Sequence, residues 1–198
     1  MLENLMAVVI FAVVTSFSPG PNNALAMSIG ANFGAVRSWR LAVGTQIGFA
    51  VMVVVSGLGL AQLLLLAPMA EQVMQAVAGG FVLYLGYRIA TSKPAALKSR
   101  SEVGRPLGIF GAASFQLVNP KAWAICLGAL GTFADFGGPG QNIAVILTVF
   151  VVTTASSIFT WASGGAAISR LLSTPTRQRR FNYAMAVLMV LSALLALW

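Results

Sequence analysis

Apolar residues fall into six runs along the chain, roughly 4–34, 41–66, 73–91, 107–133, 142–169 and 181–198. At 1.5 Å of rise per residue, each is long enough as a helix to cross about 30 Å of hydrocarbon. No stretch alternates apolar and polar residues over about ten positions, as the strands of a membrane barrel do. The pattern predicts an all-α integral membrane protein with six transmembrane helices. The runs of 31, 26 and 19 residues, then 27, 28 and 18, are long, long, short in each half. Three spans per half turn the second half upside down relative to the first. A 3+3 inverted repeat follows: residues 1–91 form one three-helix unit, 92–106 a basic cytoplasmic loop, and 107–198 the second unit.

Polar interruptions sharpen this reading. Residues Pro19-Gly20-Pro21-Asn22-Asn23 lie within the first run, and Asn119-Pro120-Lys121 within the fourth. A straight helix over the first run would reach about 46 Å, well beyond the hydrocarbon. Proline removes a hydrogen-bond donor and clashes with the preceding turn, so the first and fourth helices are expected to break at these motifs. Matched breaks in the two halves of an inverted repeat point to a substrate site near the membrane midplane. Freed carbonyls at such breaks need partners, because unpaired backbone in lipid costs several kcal/mol per group. Asn22 and Asn23 can serve as those partners or can face a substrate.

Only 8% of the residues are charged and 58% are hydrophobic, against about 25% charged in a soluble domain. The net charge of +8 follows membrane topology rather than nucleic-acid binding. Eleven of the twelve basic residues, including Arg37, Arg40, Arg88 and Arg177, fall at alternate junctions and therefore on one side. By the positive-inside rule that side is cytoplasmic and both termini lie outside. Glu3 stands where a cleaved signal peptide would carry positive charge. With Cys126 as the single cysteine and no histidine, an internal disulfide, a dithiol relay and a His/Cys metal cluster have no residues to build them. No cofactor is implied.

The twelfth basic residue is Lys121, about 14 residues into its run and without a carboxylate in that run. Charged side chains at mid-depth are expensive and mark transport pathways; snorkelling to the interface or capping freed carbonyls are the structural alternatives. Gln116, Asn119 and Trp123, at i, i+3 and i+7, share one helical face if the turn persists. The candidate substrate-binding set is Pro19, Gly20, Pro21, Asn22, Asn23, Gln116, Asn119, Pro120 and Lys121, with Gln46 from the second run. A helix N-terminus after Pro21 or Pro120 offers free N–H groups and a positive dipole end to a carboxylate. Lys121 is also the candidate coupling residue: a bound carboxylate favours its protonated form, and departure of the substrate favours proton release. Gly44 and Gly48, and likewise Gly79, Gly80 and Gly86, read as close helix packing. Thr153, Ser157 and Thr160 form a stripe whose hydroxyls are expected to bond their own backbone. Tyr84 and Tyr87 read as interfacial anchors.

These motifs, with Gly30-Ala31-Asn32-Phe33-Gly34, Tyr84-Leu85-Gly86-Tyr87-Arg88 and Phe115 through Trp123, resemble the LysE/RhtB amino-acid exporter superfamily over essentially the whole chain. The doubled asparagine is similar to the branch exporting cysteine and O-acetylserine. The resemblance implies a multi-pass protein of the bacterial inner membrane, not an enzyme. It further implies export of small neutral or zwitterionic amino acids, of the cysteine, O-acetylserine, homoserine or threonine kind, driven by the proton or another ion gradient. A wider group of relatives carries electrons through two membrane cysteines, and this chain departs from it in having one. The implied partners are an amino-acid substrate and membrane lipid, with a homodimer plausible for so small a bundle. A passive channel for small solutes and a non-transporting scaffold subunit are the competing readings.

Overall fold

The computed structural model describes residues 2–58, 68–91, 106–133, 136–169, 171–172 and 174–194. The basic loop expected at 92–106 therefore lies outside the described residues, apart from Pro106. The helices are α1 (Leu2–Phe17), α2 (Pro21–Phe33), α3 (Trp39–Gly57), α4 (Pro68–Ala90), α5 (Ile109–Leu117), α6 (Pro120–Thr132), α7 (Pro139–Ser169) and α8 (Pro175–Leu194), with a 3₁₀ turn at Ala35–Ser38. No strand occurs among the described residues. Five of the eight helices open on a proline. At the first helical position the missing N–H is one that would have had no partner within the helix, and the fixed φ suits the helix. Most prolines therefore punctuate the bundle rather than weaken it.

The turn plus α3 (Ala35–Gly57) and α7 are each long and apolar enough to cross a membrane, and α1 with α2 make a third candidate as a pair bent by 55°. Six spans were expected, and the remaining described helices explain the lower number. α5 and α6, at 9 and 13 residues, are each too short alone. The first two turns of α8 carry Arg177, Gln178, Arg179, Arg180 and Asn182, which shortens its apolar part.

Each bent or interrupted pair packs against a long helix: α1 and α2 against α7, and α5 and α6 against α3. α3 also packs on α7, and α4 on α8. Two apolar clusters result. One gathers Leu25, Ile29, Leu41, Phe115, Ile158 and Met189. The other gathers Ala12, Phe49, Met52, Cys126, Ile146 and Phe150. Between the residues that α2, α5 and α7 give to the first and those that α1, α6 and α7 give to the second lie both helix breaks. Polar side chains thus occupy the level where the helices are interrupted.

Among the described residues, Arg37, Arg40 and Arg88 collect at one end. Pro106 lines a cleft with Arg37, Trp39 and Arg40 and also a cavity with Asn32 and Arg88. Gln178 Nε2 donates to Asn32 Oδ1 at 3.3 Å, and Asn32 Nδ2 donates to Asn182 Oδ1 at 3.1 Å, tying the start of α8 to the end of α2. Tyr84 and Tyr87 are exposed on α4.

In a bilayer there is little hydrophobic drive between helices, so close approach through small residues supplies the packing. A Cβ on Gly30 would collide with the Ala162 carbonyl, and one on Gly165 with the Met27 carbonyl, so α2 and α7 touch backbone to backbone. Gly44 and Gly48 bring α3 onto Ala112, Ala113 and Gln116 of α5, as the small-residue spacing suggested. A Cβ added to Gly86 would lie 3.2 Å from Val190 of α8, whereas among the described residues no atom lies within 4 Å of one added to Gly79 or Gly80. Gly30→Ala forces the α2–α7 pair apart, and overpacking of this kind costs about 1–3 kcal/mol. Thermal denaturation of the purified protein in detergent should show a lower midpoint for Gly30→Ala and little change for Gly79→Ala.

Candidate functional site

The helix ends at the two breaks are stabilised differently. α1 stops at Phe17, and its last carbonyls have lost their helical donors. Asn23 Nδ2 donates to Ser16 O at 2.7 Å and to Ser18 O at 2.8 Å. Trp161 Nε1 donates to Phe17 O at 3.2 Å, and Ser157 Oγ donates to Ser16 O at 2.7 Å. Ser157 also bonds Asn23 Oδ1 at 3.2 Å, which fixes the amide that does the capping. Asn23 is therefore 96% buried and belongs to the architecture of the break. Thr153 and Thr160 donate to the carbonyls of Val149 and Ser156 in their own helix, as expected, while Ser157 crosses to α1 instead.

Lys121 reaches from the second break to the first. Its Nζ donates to Ser18 Oγ at 2.8 Å and to the carbonyls of Ser18 and Pro19 at 3.0 Å each. An ammonium has three hydrogens, and all three are engaged. The space for this reach is made by Gly20, where a Cβ would lie 2.7 Å from Nζ and 2.9 Å from Cδ of Lys121. Gly20 has φ −175°, extended backbone open to any residue, so glycine is required here for room alone.

The two helix N-termini at the breaks also differ. Asn119 caps α6, its Oδ1 accepting from Lys121 N at 3.2 Å. Trp123 Nε1 closes the end of α5 by donating to Leu117 O at 2.7 Å. At α2 the N-cap is Gly20, no side chain caps the helix, and Pro21 occupies the first turn. The positive end of α2 is thus the one left for an anion. Beside it, Asn22 Nδ2 donates to Gln116 Oε1 at 2.7 Å, whereas Asn22 Oδ1 is buried without a partner among the described residues. A buried acceptor left unpaired costs about 1–3 kcal/mol.

Gly20, Pro21, Asn22, Asn23, Gln116, Asn119 and Lys121 line one cavity of about 40 Å³. Thr15, Ser16, Phe49, Ala122, Ile125, Phe150 and Thr154 complete it. A water needs about 10–15 Å³ on this measure, and benzene-sized ligands occupy cavities of about 150 Å³. The cavity therefore holds a few waters at most, and an amino acid requires the helices to separate. Among the described residues no carboxylate lines it, and the one formal charge they bring is the ammonium.

Of the residues expected to bind substrate, Pro19 contributes its carbonyl to Lys121, and Pro120 opens α6. Gln46 lies elsewhere: Nε2 donates to Val151 O at 2.9 Å on the α3–α7 surface, outside the cavity. Its neighbour Thr45 is fully buried, with Oγ1 unpartnered among the described residues. The polar residues that sequence reasoning passed over are Thr15, Ser16, Ser18 and Thr154. A signal was available in Thr15-Ser16-Phe17-Ser18, a hydroxyl-rich turn directly ahead of Pro19.

A membrane-embedded helical bundle with a cationic cavity between two helix breaks is a translocator rather than an enzyme. The chain belongs to the LysE type translocator family, whose model matches residues 13–198. It is 29% identical over 191 residues to the cysteine/O-acetylserine efflux protein of Klebsiella pneumoniae subsp. pneumoniae, covering 96% of this chain and 94% of that one. Identity to the proteins of that description from Salmonella paratyphi A and Escherichia coli (strain K12) is 30% over 186 and 28% over 187 residues, each match covering 92% of both chains. No solved structure matches the chain.

The adjacent asparagines are expected to separate by role. Asn23→Ala removes two donated bonds and should cost about 1–3 kcal/mol of stability by exposing α1 carbonyls without partners. Asn22→Ala removes an already half-satisfied group and should leave the detergent melting temperature nearly unchanged. Parallel thermal melts of the two variants check this, and equal losses would contradict the assignment.

Proposed function

We propose that this protein exports small zwitterionic amino acids, of the cysteine and O-acetylserine kind, across the bacterial inner membrane, using the proton gradient. The observation that carries the reading is the convergence on one cavity of an uncapped helix N-terminus at α2, the unpaired Asn22 Oδ1 and the Lys121 ammonium. A carboxylate matches the first and third of these, and an ammonium matches the second. The names of the curated relatives support the substrate class.

The architecture that fits this function is six spans in a 3+3 inverted repeat, residues 1–91 and 107–198 joined by the basic loop 92–106. In it, α1–α2 and α5–α6 are the broken first and fourth helices. Support comes from the pairing in which each interrupted helix packs on the long helix of the other half. The gathering of Arg37, Arg40 and Arg88 at one end supports a cytoplasmic face there and termini outside.

Substrate binding must compete for Lys121. A carboxylate entering at the α2 N-terminus draws the ammonium from Ser18 and Pro19, which loosens the link between the two breaks. Opening of the 40 Å³ cavity and loss of that link are then one event. The direction of coupling requires a correction to the scheme expected from the sequence. A proton kept on Lys121 by the substrate carboxylate would leave the cell with the substrate, against the inward gradient. Gradient-driven export needs the proton to travel the other way, on the emptied site. Once the carboxylate has opened the link, the ammonium therefore gives its proton to the cytoplasm and the loaded site crosses with a neutral lysine, the carboxylate held at the α2 N-terminus. Ser18 suits that role: its hydroxyl accepts from the charged ammonium while donating to the Thr15 carbonyl at 2.9 Å, and can turn from that carbonyl to donate to a neutral amine. The lysine thereby keeps three partners in either protonation state.

Inside-out vesicles test the function. The full chain should accumulate labelled L-cysteine, kept reduced, only when a proton gradient is imposed. A channel would equilibrate without accumulation, and a scaffold would give no flux. Asn22→Ala should weaken substrate binding about 10- to 150-fold, the equivalent of a 1.5–3 kcal/mol bond to a charged group. Lys121→Gln should abolish uphill accumulation while preserving downhill exchange. Normal accumulation by that variant would remove Lys121 from the coupling step.

A further inference from the structure

A second cavity, of about 100 Å³, lies at the basic end between α2 and α4, distinct from the central one. Ser28 and Asn32 of α2 and Arg88 of α4 provide its polar wall, while Leu25, Leu85 and Leu107 are among its apolar residues. Among the described residues Arg88 is the only charged one lining it. Glu3, the one carboxylate whose surroundings are described, sits at the start of α1 and cannot neutralise it. The guanidinium stands over the Tyr84 ring, 6.0 Å from its centroid, at the outer limit of a cation–π contact. Asn32 is committed to the bridge with Asn182 and Gln178, and Ser28 Oγ receives only a 3.5 Å contact from Asn32 Nδ2. The wall of the cavity therefore includes a guanidinium-bearing side chain, itself exposed, and a hydroxyl, above an apolar floor.

Other basic residues at this end satisfy membrane topology, and a cation in the last turn of α4 also suits the helix dipole. Arg88 differs from them in facing a cavity that continues the central one along a single helix. Asn22 lines the central cavity, and Leu25, one turn further along α2, lines the cavity at the basic end. From residue 22 to 28 the helix rises about 9 Å. Leu25, Ile29 and Phe115, buried together in one apolar cluster, separate the two.

We infer that this cavity is a cytoplasmic loading site for the carboxylate of the amino acid, with Arg88 as its anchor and Ser28 as a second hydrogen-bonding group. The inference rests on the exporter reading above and adds to it a substrate site ahead of the central one. An Arg fork binds a carboxylate with two parallel hydrogen bonds, which a lysine cannot reproduce. The site raises the concentration of carboxylate-bearing solutes next to the Leu25–Ile29–Phe115 barrier and takes no part in crossing it. Removing the anchor therefore affects capture at low substrate and leaves turnover at saturation intact.

The test is the initial rate of labelled L-cysteine uptake by inside-out vesicles, in which this face is external, as a function of cysteine concentration. Arg88→Gln should raise the half-saturating concentration about tenfold with the maximal rate within twofold of the parent. Arg88→Lys should recover part of that loss, and Ser28→Ala, which changes no charge, should raise the half-saturating concentration about threefold. An unmoved half-saturating concentration in Arg88→Gln, or a maximal rate lowered equally by Gln and Lys, would overturn the loading site. If the parent protein accumulates cysteine while Arg88→Gln behaves identically, the loading site alone is wrong. If the parent fails to accumulate cysteine, the exporter reading falls and the loading site falls with it.

Discussion

The structure depends on one constraint: a backbone carbonyl released from a helix inside hydrocarbon must find another donor. The interruption between α1 and α2 at Ser18-Pro19-Gly20 releases several at once. Asn23, Ser157, Trp161 and Lys121 supply the donors, and they come from α2, α7 and α6. The break is thus the point where the helices of both halves are tied together. Removing the prolines would make the polar layer unnecessary, and removing the polar layer would make the prolines intolerable.

This arrangement also explains why neighbouring residues of similar chemistry carry different duties. Asn22 and Asn23 follow one another at the start of α2, where successive residues point about 100° apart around the helix. One amide turns back to the carbonyls of α1 and the other points towards Gln116 across the cavity. At the second break the cap is local, Asn119 serving the N–H of Lys121. Lys121 is then free to span the gap, given the room left by Gly20.

Much of this was legible in the sequence, because membranes restrict the choices so severely. The apolar runs could only be helices, and Pro19-Gly20-Pro21 and Asn119-Pro120-Lys121 could not lie in unbroken ones. The residues brought together at the cavity were found from the same two motifs, and membership of the translocator family agrees with the class they suggested. What escaped was direction. Nothing in a one-dimensional pattern says that Gln46 faces the α3–α7 surface while Gln116 faces the cavity, since each lies in an apolar run with polar neighbours. Ser16 and Ser18 escaped because serine in a membrane helix ordinarily bonds its own backbone. Their importance arises only from the neighbouring chain end. Gly79 and Gly80 mislead for the same reason: small residues permit close approach but do not reveal whether another helix takes it up.

Among the described residues Lys121 is held entirely by neutral oxygens, and no acidic residue lines its cavity. Its charge is therefore not cancelled locally, and any rearrangement that moves it between the two faces does electrical work. One elementary charge crossing the whole field is worth about 2.3 kcal/mol per 100 mV. In the proton-coupled cycle proposed here, in a cell whose interior is negative, a protonated empty site would be drawn inward by voltage as well as by the chemical gradient. Two neutral carbonyls and a hydroxyl, in place of the aspartate that usually pairs a buried lysine, would then make the return stroke of this exporter sensitive to membrane potential.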